Sequence, residues 1–202
     1  LVIMFANIPA CTIHAYDDPG CWQMQRQGQM LRRWCELCDK VWIYNYNYTM
    51  LVSKDTITPM VHRIRRNIPI IKQWGAWGFL DQDEADWSMC GVPTRLVRAR
   101  LEWDVGTDVE AVLEDYFGKW FGAAAAPMRA YYEALEDAFA RAPQHGHEDV
   151  ILPRIYTDEL TARLEGAIRQ AERLAQSDAE KVRVRLERLI YDHLRAYVAL
   201  EK

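Results

Sequence analysis

Three short segments hold residue types that can handle a sugar. Residues 13–21 read IHAYDDPGC and supply His14, Tyr16, Asp17 and Asp18. Residues 44–48 alternate tyrosine with asparagine, beginning Tyr44, Asn45, Tyr46. Residues 81–87 read DQDEADW and set Asp81, Asp83, Glu84 and Asp86 beside Gln82 and Trp87. Carboxyl groups trade protons with glycosidic oxygens, and flat rings stack on the apolar faces of sugars. Each group also has a plainer reading. Acids after a strand are commonly a solvated loop, an aromatic strand can be core, and a lone histidine such as His14 is more often a structural hydrogen bonder.

The five cysteines, Cys11, Cys21, Cys35, Cys38 and Cys90, all precede Pro93. Cys35-Glu-Leu-Cys38 is a C-x-x-C, but it lies within a helical stretch and has no second pair. A metal site joining it to Cys21 or His14 is the minor reading, and helix packing is favoured. No metal ion or other cofactor is therefore expected. Cys11 and Cys21 could close a disulfide in an exported protein, and an odd count leaves at least one thiol free. Phosphate-loop, dinucleotide, G-x-S-x-G and H-E-x-x-H motifs are absent from the sequence.

The elements that would position these groups follow from periodicity. Residues 1–8, 41–48 and 76–80 read as strands, the second dense in aromatic and β-branched types. Between them, residues 25–39 and 58–74 carry apolar side chains at helical spacing, with Pro69 set to kink or shorten the second. This alternation predicts a parallel sheet. Residues after 93 read as helix throughout. Thr107–Glu110 and Ser177–Glu180 have the spacing of capping boxes, the second heading a stripe of Val182, Leu186, Leu189, His193 and Tyr197. Another stripe runs through Leu160, Leu164, Ile168 and Leu174. Alternation leaves open whether Asn45 or its neighbours Tyr44 and Tyr46 face the helices.

The chain has 202 residues, of which 50% are hydrophobic and 27% charged, and its formal net charge is −4. That balance excludes disorder and argues against nucleic acid as a partner. No apolar run is long enough to cross a membrane, so none is expected as a partner. Residues 1–5, LVIMF, open with neither a methionine nor a basic segment. They read as a buried strand entered midway, so the sequence is expected to be the C-terminal part of a longer chain. The part before Pro93 holds nine basic and nine acidic residues, and the acidity lies wholly beyond it. Two units follow, residues 1–92 and 93–202. Three parallel strands can neither bury both faces nor close a barrel. The expected fold is therefore α/β then all-α: the last βα units of a TIM-type (β/α)8 barrel, whose remaining strands lie upstream, followed by a C-terminal helical bundle.

The order of several short motifs carries a resemblance. Trp42-Ile-Tyr44-Asn-Tyr46, then Gly75-Ala-Trp-Gly78-Phe-Leu-Asp81-Gln82, then Leu101-Glu-Trp103-Asp104, then Tyr116-Phe117 and Gly122-Ala-Ala124 together resemble the C-terminal region of bacterial proteins grouped as domain of unknown function 4838. Those look like glycoside hydrolases of the β-N-acetylhexosaminidase and α-glucuronidase superfamily. The likeness spans about residues 10 to 140 and departs at two places: Val105 stands where proline often follows the tryptophan–aspartate pair, and Asn45 where an acid is usual. The resemblance implies a carbohydrate partner and a principal acid outside this sequence. It also suggests a secreted or periplasmic location, which nothing else in the sequence indicates.

The leading expectation is thus part of a glycoside hydrolase acting on a poly- or oligosaccharide. Tyr44 and Tyr46 would shape its pocket, and Asn45, Asp81 and Gln82 would bind hydroxyls. Trp87 would serve as a wall, His14 as a further contact and Glu84 as a catalytic acid or base. The alternatives are a carbohydrate-binding domain without catalysis and a helical interaction module.

Overall fold

A computed structural model describes residues 1–7, 11–45, 56–81, 91–146 and 148–201. Three short strands form one parallel sheet in the order β1 (Ile3–Ala6), β2 (Val41–Asn45), β3 (Gly78–Asp81). Helices α1 (Trp22–Leu37) and α2 (Val61–Gln73) connect them, and α2 carries Pro69 in its last turns. Six more follow: α3 (Gly91–Trp103), α4 (Val109–Phe121), α5 (Ala125–Ala140), α6 (Glu148–Ile155), α7 (Asp158–Leu174) and α8 (Asp178–Glu201). A 3-10 turn at Gly122–Ala124 joins α4 to α5.

The parallel pairing expected from the strand–helix alternation is present. The barrel is not. Helices make up 69% of the described residues, and the three strands are the whole of the sheet among them. The fold is helix-rich with a small parallel sheet, and this corrects the reading of a barrel's last units. Alternating strands and helices specify parallel direction and a crossover, but say nothing about closure. Burial comes from the helices instead. One apolar cluster runs from Phe5, Val41 and Ile43 through Met24, Leu31 and Ile71 to Tyr131, Leu164 and Val198.

Within the sheet, Val41, Ile43 and Asn45 are buried, whereas Trp42 and Tyr44 between them are partly exposed. The alternation left open by the sequence is thus decided: Asn45 lies on the helix-covered face and Tyr44 on the open one.

Local details depart from the sequence reading in three helices. Asp108, not Thr107, caps α4, its Oδ1 accepting from the amides of Glu110 (3.0 Å) and Ala111 (3.1 Å). Thr107 instead donates its hydroxyl back to the carbonyls of Asp104 and Arg100. The Ser177–Glu180 box forms, with reciprocal bonds of 3.2 and 3.3 Å. However, α8 buries Val184, Glu187, Tyr191, Leu194, Tyr197 and Val198, leaving Val182 and Leu189 exposed. The stripe was misplaced because its true register includes a charged residue, Glu187, which an apolar pattern skips. In α7, Ala171 is buried where Leu174 was expected. No described helix is long and apolar enough to cross a membrane.

Candidate functional site

The C-terminal edge of the sheet gathers polar side chains in one row. Asn45 pairs in register with Asp81, and Asn7 follows β1 beside them, its amide donating to the Tyr44 carbonyl at 3.4 Å. Asn7 and Asn45 are both buried. The Asn7 side chain donates to the Tyr16 hydroxyl, whose pKa burial pushes up to about 12, while its Oδ1 finds no partner among the described residues. Asp81 Oδ2 lies 3.5 Å from Arg98 Nε on α3. Glu102, one turn further along α3, has its carboxyl pushed up to about 8 by burial and by the adjacent Asp81 carboxylate. A carboxyl still protonated at neutral pH therefore stands beside a second one, with an arginine holding the pair.

The opposite face of the sheet is apolar and open. Trp42 lies flat over Gly78, where a Cβ would come within 2.8 Å of the ring. Trp77 meets Trp42 edge-on, with centroids 5.8 Å apart, and Lys40 Nζ sits 5.0 Å above the Trp77 ring. Trp77 is 58% exposed, and Met4 and Leu80 beside it are about half exposed. Exposed rings grouped on a flat surface are rare on a monomer without a role.

A third grouping lies in the loop between β1 and α1. Cys11, His14 and Cys21 are buried there, and His145, from the segment between α5 and α6, completes the group. His14 Nδ1 is 3.2 Å from Cys11 Sγ and 3.3 Å from His145 Nδ1, while its Nε2 meets the Ala142 carbonyl at 2.8 Å. Burial pushes the Cys11 thiol up, but hydrogen bonds from His14 and from backbone groups outweigh it and bring the thiol down to about 6. Burial likewise opposes the charged form of His14, yet the neighbouring thiolate and the Ala142 carbonyl leave its pKa raised. Cys21 moves the other way, to about 11, chiefly through burial.

Helix α2 holds this loop in place. Arg63 Nη1 donates to the Thr12 carbonyl (2.7 Å), His62 Nε2 meets the Ile13 carbonyl (2.9 Å), and Asn67 Oδ1 accepts the Tyr16 amide (2.8 Å). The other nitrogen of His62 contacts Glu136, whose carboxylate also accepts the Val61 and His62 amides at the start of α2. Glu136 thus acts from α5 as the helix cap that α2 lacks in its own sequence. His62 and Glu136, together with His14, Arg65 and Glu110, line a cleft of 330 Å³, where Glu136 contacts His62 and Glu110 pairs with Arg65.

Of the residues singled out from sequence, Asn45 and Asp81 come together on the helix side of the sheet edge, and Tyr44 faces the open side. His14 lies in the cysteine–histidine group, away from that row. Tyr46, Gln82, Glu84, Trp87 and Cys90 fall outside the described residues. Sequence reasoning missed Asn7, Arg98 and Glu102 around Asp81. The last two stand four apart on α3, the spacing of a shared helix face. It also missed His145, which no local spacing ties to Cys11.

No curated protein matches this chain, and neither does any solved structure. A family model does match, over residues 1–134. Since this is well over half of the 202 residues, the chain belongs to the family described as domain of unknown function (DUF4838).

Proposed function

We propose that this chain binds a poly- or oligosaccharide as part of a glycoside hydrolase, the C-terminal portion of an enzyme akin to β-N-acetylhexosaminidases and α-glucuronidases. The observation that carries this reading is the open aromatic face of the sheet, where Trp42, Tyr44 and Trp77 offer stacking surfaces. Sugar rings present flat C–H faces that pack on such rings, while their hydroxyls need fixed polar partners. Tyr44 brings a hydroxyl to that face, while Asn45 and Asp81 stand at the strand ends on the helix side, with Arg98 and Glu102 setting the charge around Asp81. Tyr46, Gln82 and Trp87 are further binding candidates by residue type, and Glu84 is the acid or base candidate on the same ground. The chain's contribution on this reading is the wall of the substrate site, and hydrolysis depends on carboxylates beyond the row described.

The test is binding of a panel of α- and β-linked oligosaccharides, followed by tryptophan fluorescence and calorimetry, with reducing-sugar release measured alongside. Trp77→Ala is the informative variant because its exposed side chain contributes little to folding. Loss of one stacking face should weaken binding about tenfold, corresponding to roughly 1.4 kcal/mol. A chain that binds no saccharide on the panel, or binds equally well without Trp77, overturns the proposal.

A further inference from the structure

Cys11, His14, Cys21 and His145 are four residues whose types match the Cys2His2 set of structural zinc sites, and their ligand atoms all lie within 4.8 Å of one another. Three are buried and His145 is partly so. With zinc–sulfur bonds near 2.3 Å and zinc–nitrogen bonds near 2.0 Å, a tetrahedron has edges of roughly 3.3 to 3.8 Å. Two edges already stand at 3.2 and 3.3 Å, between His14 Nδ1 and its neighbours Cys11 and His145. The longest separation needs about 1 Å of closure, which side-chain rotation supplies.

The surroundings favour a cation over other uses of these groups. Ala142 accepts from His14 Nε2 at 2.8 Å, so a ring that yields its other proton to a metal presents Nδ1 to the cluster. Nδ1 of His145 lies 3.3 Å from that nitrogen, the separation of two imidazole ligands on one tetrahedral ion. Two thiolates and two neutral imidazoles balance a divalent ion, so the buried site carries no net charge. A disulfide between Cys11 and Cys21 would leave both histidines without that role. The loop is also pre-placed: besides its bonds to α2, Thr12 donates both its amide and its hydroxyl to the Gly146 carbonyl, at 3.2 Å each. His145 is thereby held next to the loop that carries the other three.

We propose that Cys11, His14, Cys21 and His145 bind one zinc(II) ion in a closed tetrahedral site that fastens the loop after β1 to the segment between α5 and α6. With all four positions filled by protein, its role is structural. The binding set is discontinuous: C-x2-H-x6-C in the loop, with its fourth ligand far along the chain.

The experiment loads the purified chain with zinc, removes excess ion, and measures bound metal by mass spectrometry of the elements. About one zinc per chain is expected, falling to near zero in His145→Gln and in Cys21→Ser, and unchanged in Cys35→Ser. His145→Gln should keep its far-ultraviolet circular dichroism, since the ring is partly exposed. Should the cysteine variant not fold, cobalt(II) in the wild-type chain decides. An intense thiolate-to-cobalt band with tetrahedral ligand-field absorption supports the site, and its absence overturns it. The proposal is likewise overturned if the wild-type chain retains no zinc, if zinc persists in both ligand variants, or if peptide mapping finds a Cys11–Cys21 disulfide.

Discussion

Glu187 is an acid placed inside a helical core, and replacing it with glutamine should change how stability depends on pH. Its carboxylate lies on the buried face of α8, where the Tyr132 hydroxyl donates to both oxygens at 3.0 Å. Burial pushes its pKa from the ordinary 4.5 up to about 7, although the Tyr132 bond works in the opposite direction. The hydroxyls of Tyr116 and Tyr131 also feel the Glu187 charge, and burial holds both tyrosines above their ordinary value.

The folded chain therefore keeps its proton at Glu187 where the unfolded chain has released it. The stabilising contribution is full below about pH 4.5 and is lost as pH rises through about 7. A span of about 2.5 pH units at 1.36 kcal/mol each gives about 3 kcal/mol. Glutamine keeps an acceptor for Tyr132 but does not titrate. Urea unfolding of both proteins, stepped from about pH 4 to about pH 8, should show the variant gaining about 3 kcal/mol on the wild type across that range. In thermal unfolding this corresponds to about 6–12 °C. All other titrating groups are shared, so they cancel in the difference. Parallel profiles would refute the reasoning and place Glu187 in contact with water.

Two further expectations concern single contacts. Asp108→Ala removes the side chain that accepts two amides at the start of α4, and should cost about 1 kcal/mol in chemical denaturation. Thr107→Ala should cost less than half as much, and the reverse order would make Thr107 the cap. Gly78→Ala places a methyl 2.8 Å from the Trp42 ring. It should shift tryptophan emission and destabilise the chain by about 1 kcal/mol, whereas unchanged emission would mean the ring does not lie over Gly78.

Local order was legible in the residues, and long-range placement was not. All three strands and the Ser177–Glu180 box were visible because each rests on neighbours within a few positions. Parallel direction followed from the helices between strands, but barrel closure had been inferred from edges alone, and the helices bury the chain without it. The register of α8 was misread because Glu187 occupies an interior position that hydrophobic periodicity assigns to solvent. Their place at adjacent strand ends is what brings Asn45 and Asp81 side by side. Cys11, His14 and Cys21 stand within one short segment, but the C-x-x-C of Cys35 and Cys38 has the more familiar spacing. Spacing could not supply His145, because its neighbour His14 lies 131 positions away.

That separation has a consequence for how the protein is made. At about 5–20 residues per second of synthesis, roughly 7 to 26 s pass between the emergence of His14 and that of His145. Through that interval the loop after β1 has its cysteines in place but not the segment that covers them. The contact therefore waits for the segment after α5, and its high sequence separation slows folding. A thiol that ends at 0% exposure, such as Cys11 or Cys21, passes first through a period open to oxidants and to stray metal ions. Arrival of the α5–α6 segment ends that period, so synthesis of that segment, rather than folding of the first hundred residues, is what seals the loop.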